Sequence, residues 1–465
     1  MIPKKSLNRI TLINILSTLL LQGISMLTAP VISRLLGVDH YGMVSIYNTW
    51  VPVLALVLGM QVNGTLSMAK VEYPEENQKN YQSAVLFLAM LVFLVGGALI
   101  TLLRVPLGSL LKLDPRIVIL MVIHAFGTFC VTLLNNKLTL EFKADKNLLL
   151  SVSVAVLSFG LSLLLIFLMP DAYLYWGRVL GLAVTYGCFG VGISVCLLRS
   201  GKTFVHKEYW KFCVPLALPL IAHGLAGLAL GQSDRVMLQQ MLDTSTVGIY
   251  SLAAAFASVM TIIWTSLNNS WVPFYFEYAR NGQQDKIKHH GKNYLELYSI
   301  LTVGFMLLTP EVYRVFASRE YWDGISMIPI LVAGNYFIFL YSFPANYEFF
   351  HKNTKATAVC TVIAGVVNIL LNFFFIRWMG VLGAALATMI AHGVQFLVHY
   401  LYAMSIRKGE DFPFRMGMLM TYGLPVLLVT LWITARPGPW WLRWALGAAV
   451  GVWELYRIVK RKHIF

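Results

Sequence analysis

Long runs of apolar residues, each about the length of a membrane-spanning helix, follow one another along almost the whole chain. A bilayer core of about 30 Å takes roughly 20 apolar residues in helical form, whereas a transmembrane barrel shows alternating strands of about ten residues. The sequence is 58% hydrophobic and 12% charged, and soluble domains carry about 25% charged residues. We therefore predict an all-α, polytopic integral membrane protein with about 14 transmembrane helices. The predicted spans are 10–33, 42–69, 83–103, 116–136, 148–169, 177–198, 212–234, 247–271, 294–315, 325–345, 356–376, 381–404, 416–435 and 440–457.

The basic residues between these spans are distributed unevenly over the two sides of the membrane. Most of the 36 Lys and Arg residues lie in the N-terminal segment, in alternate loops and in the C-terminal segment. An excess of basic residues marks the cytoplasmic side of a membrane protein. We therefore predict a multi-pass protein of the cytoplasmic (inner) membrane with both termini in the cytoplasm. The formal net charge of +15 is then explained by this bias and by anionic lipid heads, and no nucleic-acid partner is expected.

The order of the spans predicts three parts. Residues 1–205 would form an N-terminal six-helix bundle and residues 206–405 a C-terminal six-helix bundle. Residues 406–465 would add two transmembrane helices and a basic cytoplasmic tail. The first two spans of each half carry related segments, "YGMVSIY" from Tyr41 and "VGIYSLA" from Val247, which agrees with an internal repeat.

The connections between the spans are short, which argues against an enzyme. The longest one, Phe274 to Asn293, is basic and too small for a catalytic domain, and the chain has no glycine-rich phosphate loop. We expect His289 and His290 to lie in a solvated loop, because neighbouring helix positions point about 100° apart and no carboxylate accompanies them. The five cysteines lie in or beside apolar runs without metal-ligand spacing. We therefore expect no metal and no cofactor.

Polar side chains form stripes along spans 1, 2, 7 and 8, the first two spans of each half. Polar groups left unsatisfied in lipid cost several kcal/mol each, so these stripes must face each other or water. They predict either a dry polar seam or, as we favour, a solvated central cavity. A similar line of His124, Thr128 and Asn135 in span 4 is expected to pack. The stripes are Asn14, Thr18, Gln22, Ser25 and Thr28; Ser45, Asn48, Pro52, Gly59 and Asn63; His223, Gly227, Gly231 and Asp234; and Ser251, Ser258, Thr261, Thr265, Asn268 and Asn269.

An adjacent acid and base, Asp234 and Arg235, stand at the outer end of span 7. Side chains at i and i+1 do not face each other on a helix, so the two are expected to be poor partners. One interpretation is an interfacial anchor whose side chains extend to the headgroups. In the other, Arg235 faces a cavity and binds an anion while Asp234 orients it or titrates, since the planar guanidinium suits phosphate. Arg34 and Arg178, also near outer span ends, raise the same two alternatives.

Several segments resemble the oligosaccharide flippases of the multidrug/oligosaccharidyl-lipid/polysaccharide exporter superfamily. "APVISRLLGVDHYGMVSIYNT" (29–49) resembles the first hairpin of that family, and "SDRVMLQQMLDTSTVGIYSLA" (233–253) resembles its helix 7–8 hairpin. "NNSWVPFYFE" (268–277) and "NILLNFFFIRWMGVLGAALATMIAH" (368–392) are similar to the end of its helix 8 and to its helix 11–12 turn. The resemblance is spread over most of the chain.

This resemblance implies a MATE-like fold in which two six-helix bundles enclose a central cationic cavity that opens alternately to either side. It implies a flippase that moves polyprenyl-diphosphate-linked oligosaccharide units to the outer leaflet for O-antigen, capsule or exopolysaccharide biosynthesis. Membrane lipids, a polysaccharide polymerase and chain-length proteins would be its partners. The predicted substrate-binding residues, for diphosphate or sugar, are Arg34, Asn48, Arg178, His223, Asp234, Arg235, Asn268 and Asn269.

Three other functions stay open at this stage. A cation-coupled multidrug exporter of the same fold would be expected to carry a carboxylate in its first helix, where this chain has only amides and hydroxyls. A flippase for a peptidoglycan precursor or a spore-envelope lipid and a membrane enzyme of polysaccharide assembly are the others. The spans hold few acidic residues, which argues against an ion-coupling site built on carboxylates, and coupling to a Na⁺ or H⁺ gradient is left open.

Overall fold

The computed structural model consists of long helices joined by short turns. It describes the backbone of residues 4–351, 354–407, 412–435 and 438–461, and within them all side chains except those of residues 4–25, 27, 354–358, 458 and 461. No strand occurs in these ranges. The helices are α1 (Lys4–Leu58), α2 (Leu66–Glu72), α3 (Gln78–Leu102), α4 (Arg104–Leu111), α5 (Pro115–Leu140), α6 (Ala144–Leu168), α7 (Leu174–Gly201), α8 (Lys207–Met241), α9 (Thr244–Arg280), α10 (Gln284–Phe316), α11 (Ile328–Phe350), α12 (Thr354–Met379), α13 (Val381–Ser405), α14 (Met416–Ala435) and α15 (Trp440–Arg461).

The all-α membrane fold is confirmed, but the count of 14 spans is not. In the part of the chain that the structure describes, 12 helices are long and apolar enough to cross a membrane. Two features account for the difference. The described part of α1 counts as one candidate, although its path breaks at Gly37, and α15 is not a candidate because its charged residues dilute its apolar character.

Two further expectations about helix boundaries are wrong. The predicted span 42–69 is interrupted, because α1 ends at Leu58 and a turn with positive φ at Met60 and Gln61 precedes α2. The predicted loop from Phe274 to Asn293 is helical apart from Asn281–Gln283, and His289 and His290 lie in α10. The ring of His290 stacks on Tyr278 of α9 at a centroid distance of 5.6 Å. Both helices continue beyond their apolar runs, so apolar content alone does not mark where they end.

The chain divides into two compact units, Met1–Leu228 and Ala229–Phe465, with the boundary inside α8. In the N-terminal unit, α7 packs against α5 and α6, and α1 packs against the same two helices. Glycines allow the close approach of α6 and α7: at Gly177 an added Cβ would lie 2.6 Å from the backbone nitrogen of Ile166. His124 is buried there, with Nδ1 3.1 Å from the hydroxyl of Tyr47, so it packs inside this unit.

In the C-terminal unit, α13 packs against α11 and α12, α9 against α11, and α10 against α14 and α15. Helix α11 is the most buried of the candidate spans. Its core is aromatic, with the rings of Tyr298 and Phe339 4.3 Å apart and those of Tyr294 and Phe339 5.1 Å apart. This unit also buries ionisable side chains inside spans, among them Asp234, Glu296 and Glu348. The expectation that acidic groups in the spans are few therefore understates the buried charge.

Candidate functional site

The acid and base at the end of span 7 form an ion pair. Arg235 Nη1 lies 3.4 Å from Asp234 Oδ1 and 3.1 Å from the carbonyl oxygen of Gly231. Asp234 is 4% exposed, and its Oδ1 also accepts a hydrogen bond of 2.8 Å from the backbone nitrogen of Arg235. The expectation that neighbouring residues make poor partners is therefore wrong. The arginine side chain is long enough to fold back along the helix, which brings its guanidinium to the preceding carboxylate.

Tyr250 of α9 completes this charged group. Its hydroxyl donates a hydrogen bond to Asp234 Oδ2, and the guanidinium of Arg235 lies 5.8 Å from the centre of its ring. A carboxylate with two donors on one oxygen and a tyrosine on the other is held firmly in place, and a guanidinium over a ring gains a cation–π contact. The pair is thus fixed by two helices, although Arg235 itself stays partly exposed.

A layer of small polar side chains adjoins the pair on α12 and α13. Ser233 donates to Asn368 Oδ1 at 2.8 Å, and Asn372 Nδ2 donates to the same oxygen at 3.0 Å. Asn368 Nδ2 lies 3.4 Å from the hydroxyl oxygen of Thr388, and both asparagines are fully buried. The sequence interpretation missed Tyr250, Asn368, Asn372 and Thr388. Two amides four residues apart in the apolar run 356–376 were the signal that could have identified two of them.

A cavity with a partly polar lining lies inside the N-terminal unit, where the stripes of spans 2, 4 and 7 meet. Its volume is about 370 Å³. Its polar lining consists of Gln61, Asn63, Thr128 and Thr132, and its lining from the stripes also includes Pro52 and Gly227. The buried oxygens of Asn63 and Thr128 have no hydrogen-bond partner among the described residues. A dry seam would leave these groups unsatisfied, so this part of the stripes favours a solvated cavity.

A second cavity of the N-terminal unit contains Arg178 of α7. Its volume is about 330 Å³ and it lies between α1, α5, α6 and α7. Arg178 Nη1 donates a hydrogen bond of 3.0 Å to Ser162 Oγ. The side chain is therefore directed into the bundle and fixed there, which does not fit an anchor in the headgroup region.

The remaining predicted site residues are mostly exposed. In the N-terminal unit, Arg34, Asn48 and His223 have exposed side chains. In the C-terminal unit, Asn269 is exposed and Asn268 half-buried, and Asn268 Oδ1 has no hydrogen-bond partner among the described residues. Of the eight predicted residues, the structure joins Asp234 and Arg235 by direct contact. The side chains of Asn14, Thr18, Gln22 and Ser25 in the first stripe lie outside the described residues.

The arrangement offers positive charge and hydrogen-bond donors and little to hold a transition metal. Among the described residues, no group of three or more His, Cys, Asp or Glu side chains could bind a metal ion. An arginine fixed by a buried carboxylate keeps donors free for an oxyanion, and its geometry suits paired hydrogen bonds to phosphate or carboxylate. These residues therefore offer a site at which an oxyanion can be bound.

Two curated proteins of Haemophilus influenzae are similar to the chain. One, described as an uncharacterized membrane protein, is 22% identical over 376 residues, which cover 77% of this chain and 89% of that protein. The other, described as Lsg locus putative protein 1, is 23% identical over 369 residues, covering 74% of this chain and 84% of that protein.

Solved structures with the same fold are those of membrane transporters. The structure of the lipid II flippase MurJ in an inward closed conformation superposes with a TM-score of 0.74 at 15% identity, covering 96% of this chain and 98% of MurJ. An inward-facing multidrug resistance transporter of the MATE family superposes with a TM-score of 0.64 at 16% identity, covering 86% of this chain and all of that one. These likenesses establish that the chain has the fold of the multidrug/oligosaccharidyl-lipid/polysaccharide exporter superfamily.

A family match extends over more than half of the sequence. Residues 7–279 match the family described as "Polysaccharide biosynthesis protein". The matched range begins in α1, ends in α9, and includes both Asp234 and Arg235. The chain is a multi-pass membrane protein that belongs to the polysaccharide biosynthesis protein family.

Proposed function

We propose that the chain is a flippase that moves polyprenyl-diphosphate-linked oligosaccharide units across the cytoplasmic membrane for the synthesis of a surface polysaccharide such as O-antigen, capsule or exopolysaccharide. The observation that carries the proposal is the family match over residues 7–279 in a chain with the fold of a membrane transporter. It is a transporter and not an enzyme: binding and alternating access suffice, and the lipid moves without a change of its bonds.

The diphosphate is the part of such a substrate that most needs a protein partner. Two phosphate charges cannot enter hydrocarbon without compensation, and Arg235 combines a guanidinium with a fixed orientation set by Asp234 and Tyr250. We assign Arg235 and Arg34 to the diphosphate and Asp234 to the positioning of Arg235. Asn48, His223, Asn268 and Asn269 offer neutral polar groups for sugar hydroxyls, and the exposure of Asn48, His223 and Asn269 in the structure supports this role.

The proposal includes the setting of the flippase. From the excess of basic residues we infer that both termini lie in the cytoplasm, and a polymerase and chain-length proteins would take over the delivered units. Coupling to a Na⁺ or H⁺ gradient is part of the proposal without a choice of ion. The buried carboxylates of the C-terminal unit, such as Asp234 and Glu348, supply groups on which such coupling could act.

Two alternatives within the same fold receive support from specific likenesses. MurJ is described as a lipid II flippase, which supports a peptidoglycan-precursor substrate with the same polyprenyl diphosphate. The MATE structure is described as a multidrug resistance transporter, which supports export of cationic drugs. A positive arginine fixed beside the candidate site favours an anionic lipid over a cationic drug, because like charges repel in a medium of low dielectric constant.

The test compares the lipid-linked intermediates of a strain lacking the gene with those of its parent by mass spectrometry. We expect a polyprenyl-diphosphate oligosaccharide to accumulate, and its mass would identify the cargo. The deletion is complemented with the wild type, with Arg235→Ala, and with the matched control Arg280→Ala, an exposed arginine at the end of α9. Wild type and Arg280→Ala should clear the intermediate, whereas Arg235→Ala should not, at equal amounts of protein in the membrane.

The alternatives give different results in the same experiment. If a peptidoglycan precursor accumulates instead, the substrate is that precursor, as for MurJ, and not an oligosaccharide unit. An unchanged lipid pool, together with new sensitivity to cationic drugs, would refute the flippase and support a multidrug exporter. Full clearance by Arg235→Ala would refute the role of the charged pair and leave it as an interfacial anchor.

A further inference from the structure

Each of the four helices that line the cavity around Arg178 contributes at least one polar side chain. It lies wholly within the N-terminal unit, has a volume of about 330 Å³, and is lined elsewhere by Val131, Val154, Ala155, Phe159 and Leu182. Polar side chains from α1, α5, α6 and α7 all reach it. They are Thr28, Asn135, Ser151, Ser158, Arg178 and Tyr186.

The charge of this lining is positive and uncompensated. Among the described residues that line the cavity, Arg178 is the only Asp, Glu, Lys or Arg, and it forms no ion pair within the described part of the chain. Its Nη1 donates to Ser162 Oγ at 3.0 Å, and Ser162 in turn donates to the carbonyl oxygen of Ser158 at 2.5 Å. A guanidinium has five N–H donors, so this chain of hydrogen bonds orients Arg178 while leaving most donors for a ligand.

Helix α5 contributes a hydrogen-bond acceptor to the cavity, whereas Arg178 contributes donors. The side-chain oxygen of Asn135 is buried and has no hydrogen-bond partner among the described residues. Tyr186 lines the same cavity, and its ring lies 4.5 Å from that of His124, which is hydrogen-bonded to Tyr47. A buried acceptor without a donor is as costly as a buried donor without an acceptor. A ligand of this cavity would therefore need an anionic group near Arg178 and a hydrogen-bond donor near the side-chain oxygen of Asn135.

We propose that this cavity is a binding site for one hydroxylated organic acid of the sugar-acid class, with its carboxylate on Arg178 and a hydroxyl on Asn135. The volume is at the lower end of the roughly 300–1,000 Å³ of small-molecule sites, which fits a single sugar-sized unit. A halide would leave the Asn135 oxygen unsatisfied, and a neutral sugar would leave the charge of Arg178 uncompensated. The site is separate from the charged pair of α8 and does not depend on the proposed transport of a lipid.

The test is a calorimetric titration of the purified full-length protein in detergent with D-glucuronate. D-glucose and acetate are titrated in parallel, because the first has the hydroxyls without the charge and the second the charge without the hydroxyls. We expect D-glucuronate to bind at least about tenfold more tightly than either, the usual effect of one hydrogen bond to a charged group. Arg178→Gln should weaken it about tenfold to hundredfold, and Tyr186→Phe should have a smaller effect.

Two variants keep the result interpretable. Arg104→Gln, which removes an exposed arginine of α4 in the same unit, should leave D-glucuronate binding unchanged. If Arg178→Gln does not fold, Asn135→Asp provides the second test, since a carboxylate of nearly the same shape would neutralise the cavity and should abolish binding. The proposal is overturned by absent D-glucuronate binding, by equal binding of acetate or glucose, or by unchanged binding in the tested cavity variant. These outcomes leave the flippase proposal untouched, because that proposal is measured on cellular lipids.

Discussion

The imidazole of His399 on α13 and the carboxylate of Glu348 on α11 form a hydrogen-bonded pair that is fully buried inside the C-terminal unit. His399 Nδ1 lies 2.9 Å from Oε1 and 3.1 Å from Oε2 of Glu348, and both side chains are 0% exposed. The ring of Tyr341 lies 5.2 Å from that of His399. Helices α11 and α13 are therefore joined by a buried polar contact.

Replacement of His399 by alanine is expected to destabilise the protein strongly. It removes the partner of a buried carboxylate, and breaking a buried pair typically costs about 3–5 kcal/mol. Thermal unfolding of the purified protein measures the effect. The matched control is His289→Ala, since His289 is exposed on α10, and it should unfold at nearly the wild-type temperature.

The double variant Glu348→Met, His399→Leu distinguishes a polar contact from simple loss of volume. Replacing both partners of a buried pair by apolar groups is often neutral, so we expect it to recover most of the stability lost in His399→Ala. A double variant as unstable as the single one would show that packing volume, and not the loss of the contact between His399 and Glu348, accounts for the loss of stability.

The fold was predictable from the sequence because apolar run length determines where helices can cross a bilayer. The runs 116–136 and 381–404 correspond closely to α5 and α13. Helix ends were less predictable where a polar surface helix continues a span, as in α9 and α10 around Asn281–Gln283. Hydropathy records only that such residues leave the hydrocarbon, and the backbone continues as a helix beyond that point.

The candidate site was predictable only in part, for a physical reason. Asp234 and Arg235 stand out as charges beside an apolar run, whereas Tyr250 and Asn368 acquire their significance from contacts between helices distant in sequence. Glu348 is similar: near the end of α11 it resembles an interfacial charge, and His399, 51 residues later, gives it a buried partner. Helical periodicity indicates which side chains share a face, and it does not indicate which faces meet.

Two ion pairs between α10 and α15 lead to a prediction about the last helix. Arg443 pairs with Glu311, which also accepts from Trp444 Nε1 at 3.3 Å, and Arg457 pairs with Glu296. At 1.5 Å per residue, the two arginines are separated by about 21 Å along α15 and the two glutamates by about 22.5 Å along α10. The two pairs therefore fix the register of two antiparallel helices.

We expect Arg443→Gln to lower stability and Glu311→Gln to do the same, with less than additive loss in the double variant. Arg443 is 4% exposed in its side chain and Glu311 24%, so each loss should lie below the roughly 3–5 kcal/mol of a fully buried pair. A double-mutant cycle on thermal unfolding measures the coupling. The exposed pair Lys143–Glu141 is the control and should contribute about 0–1 kcal/mol. Strict additivity at Arg443 and Glu311 would contradict a direct interaction.

The polar stripes predict which positions react with a water-soluble thiol reagent. In a background with the five native cysteines replaced, Asn48→Cys and Asn269→Cys should be labelled in membranes by an impermeant maleimide, because both asparagines are exposed and a cavity would be wet. The controls are Thr49→Cys and Ser251→Cys on the same helices. Their native side chains are 4% and 6% exposed, so both should stay unlabelled. Protection of both test positions in every state of the protein would favour a dry seam.

The break in α1 rests on a backbone conformation that essentially only glycine adopts. Gly37 has φ 68° and ψ 175°, a region in which a side chain on Cα costs of order 1–3 kcal/mol. Gly37→Ala should therefore lower the unfolding temperature. The matched control is Gly160→Ala inside α6, where an added Cβ meets nothing within 4 Å. That change should be neutral or slightly stabilising, because alanine favours a helix over glycine by about 1 kcal/mol. Equal effects of the two substitutions would show that the turn between the first two predicted spans does not require the conformation of Gly37.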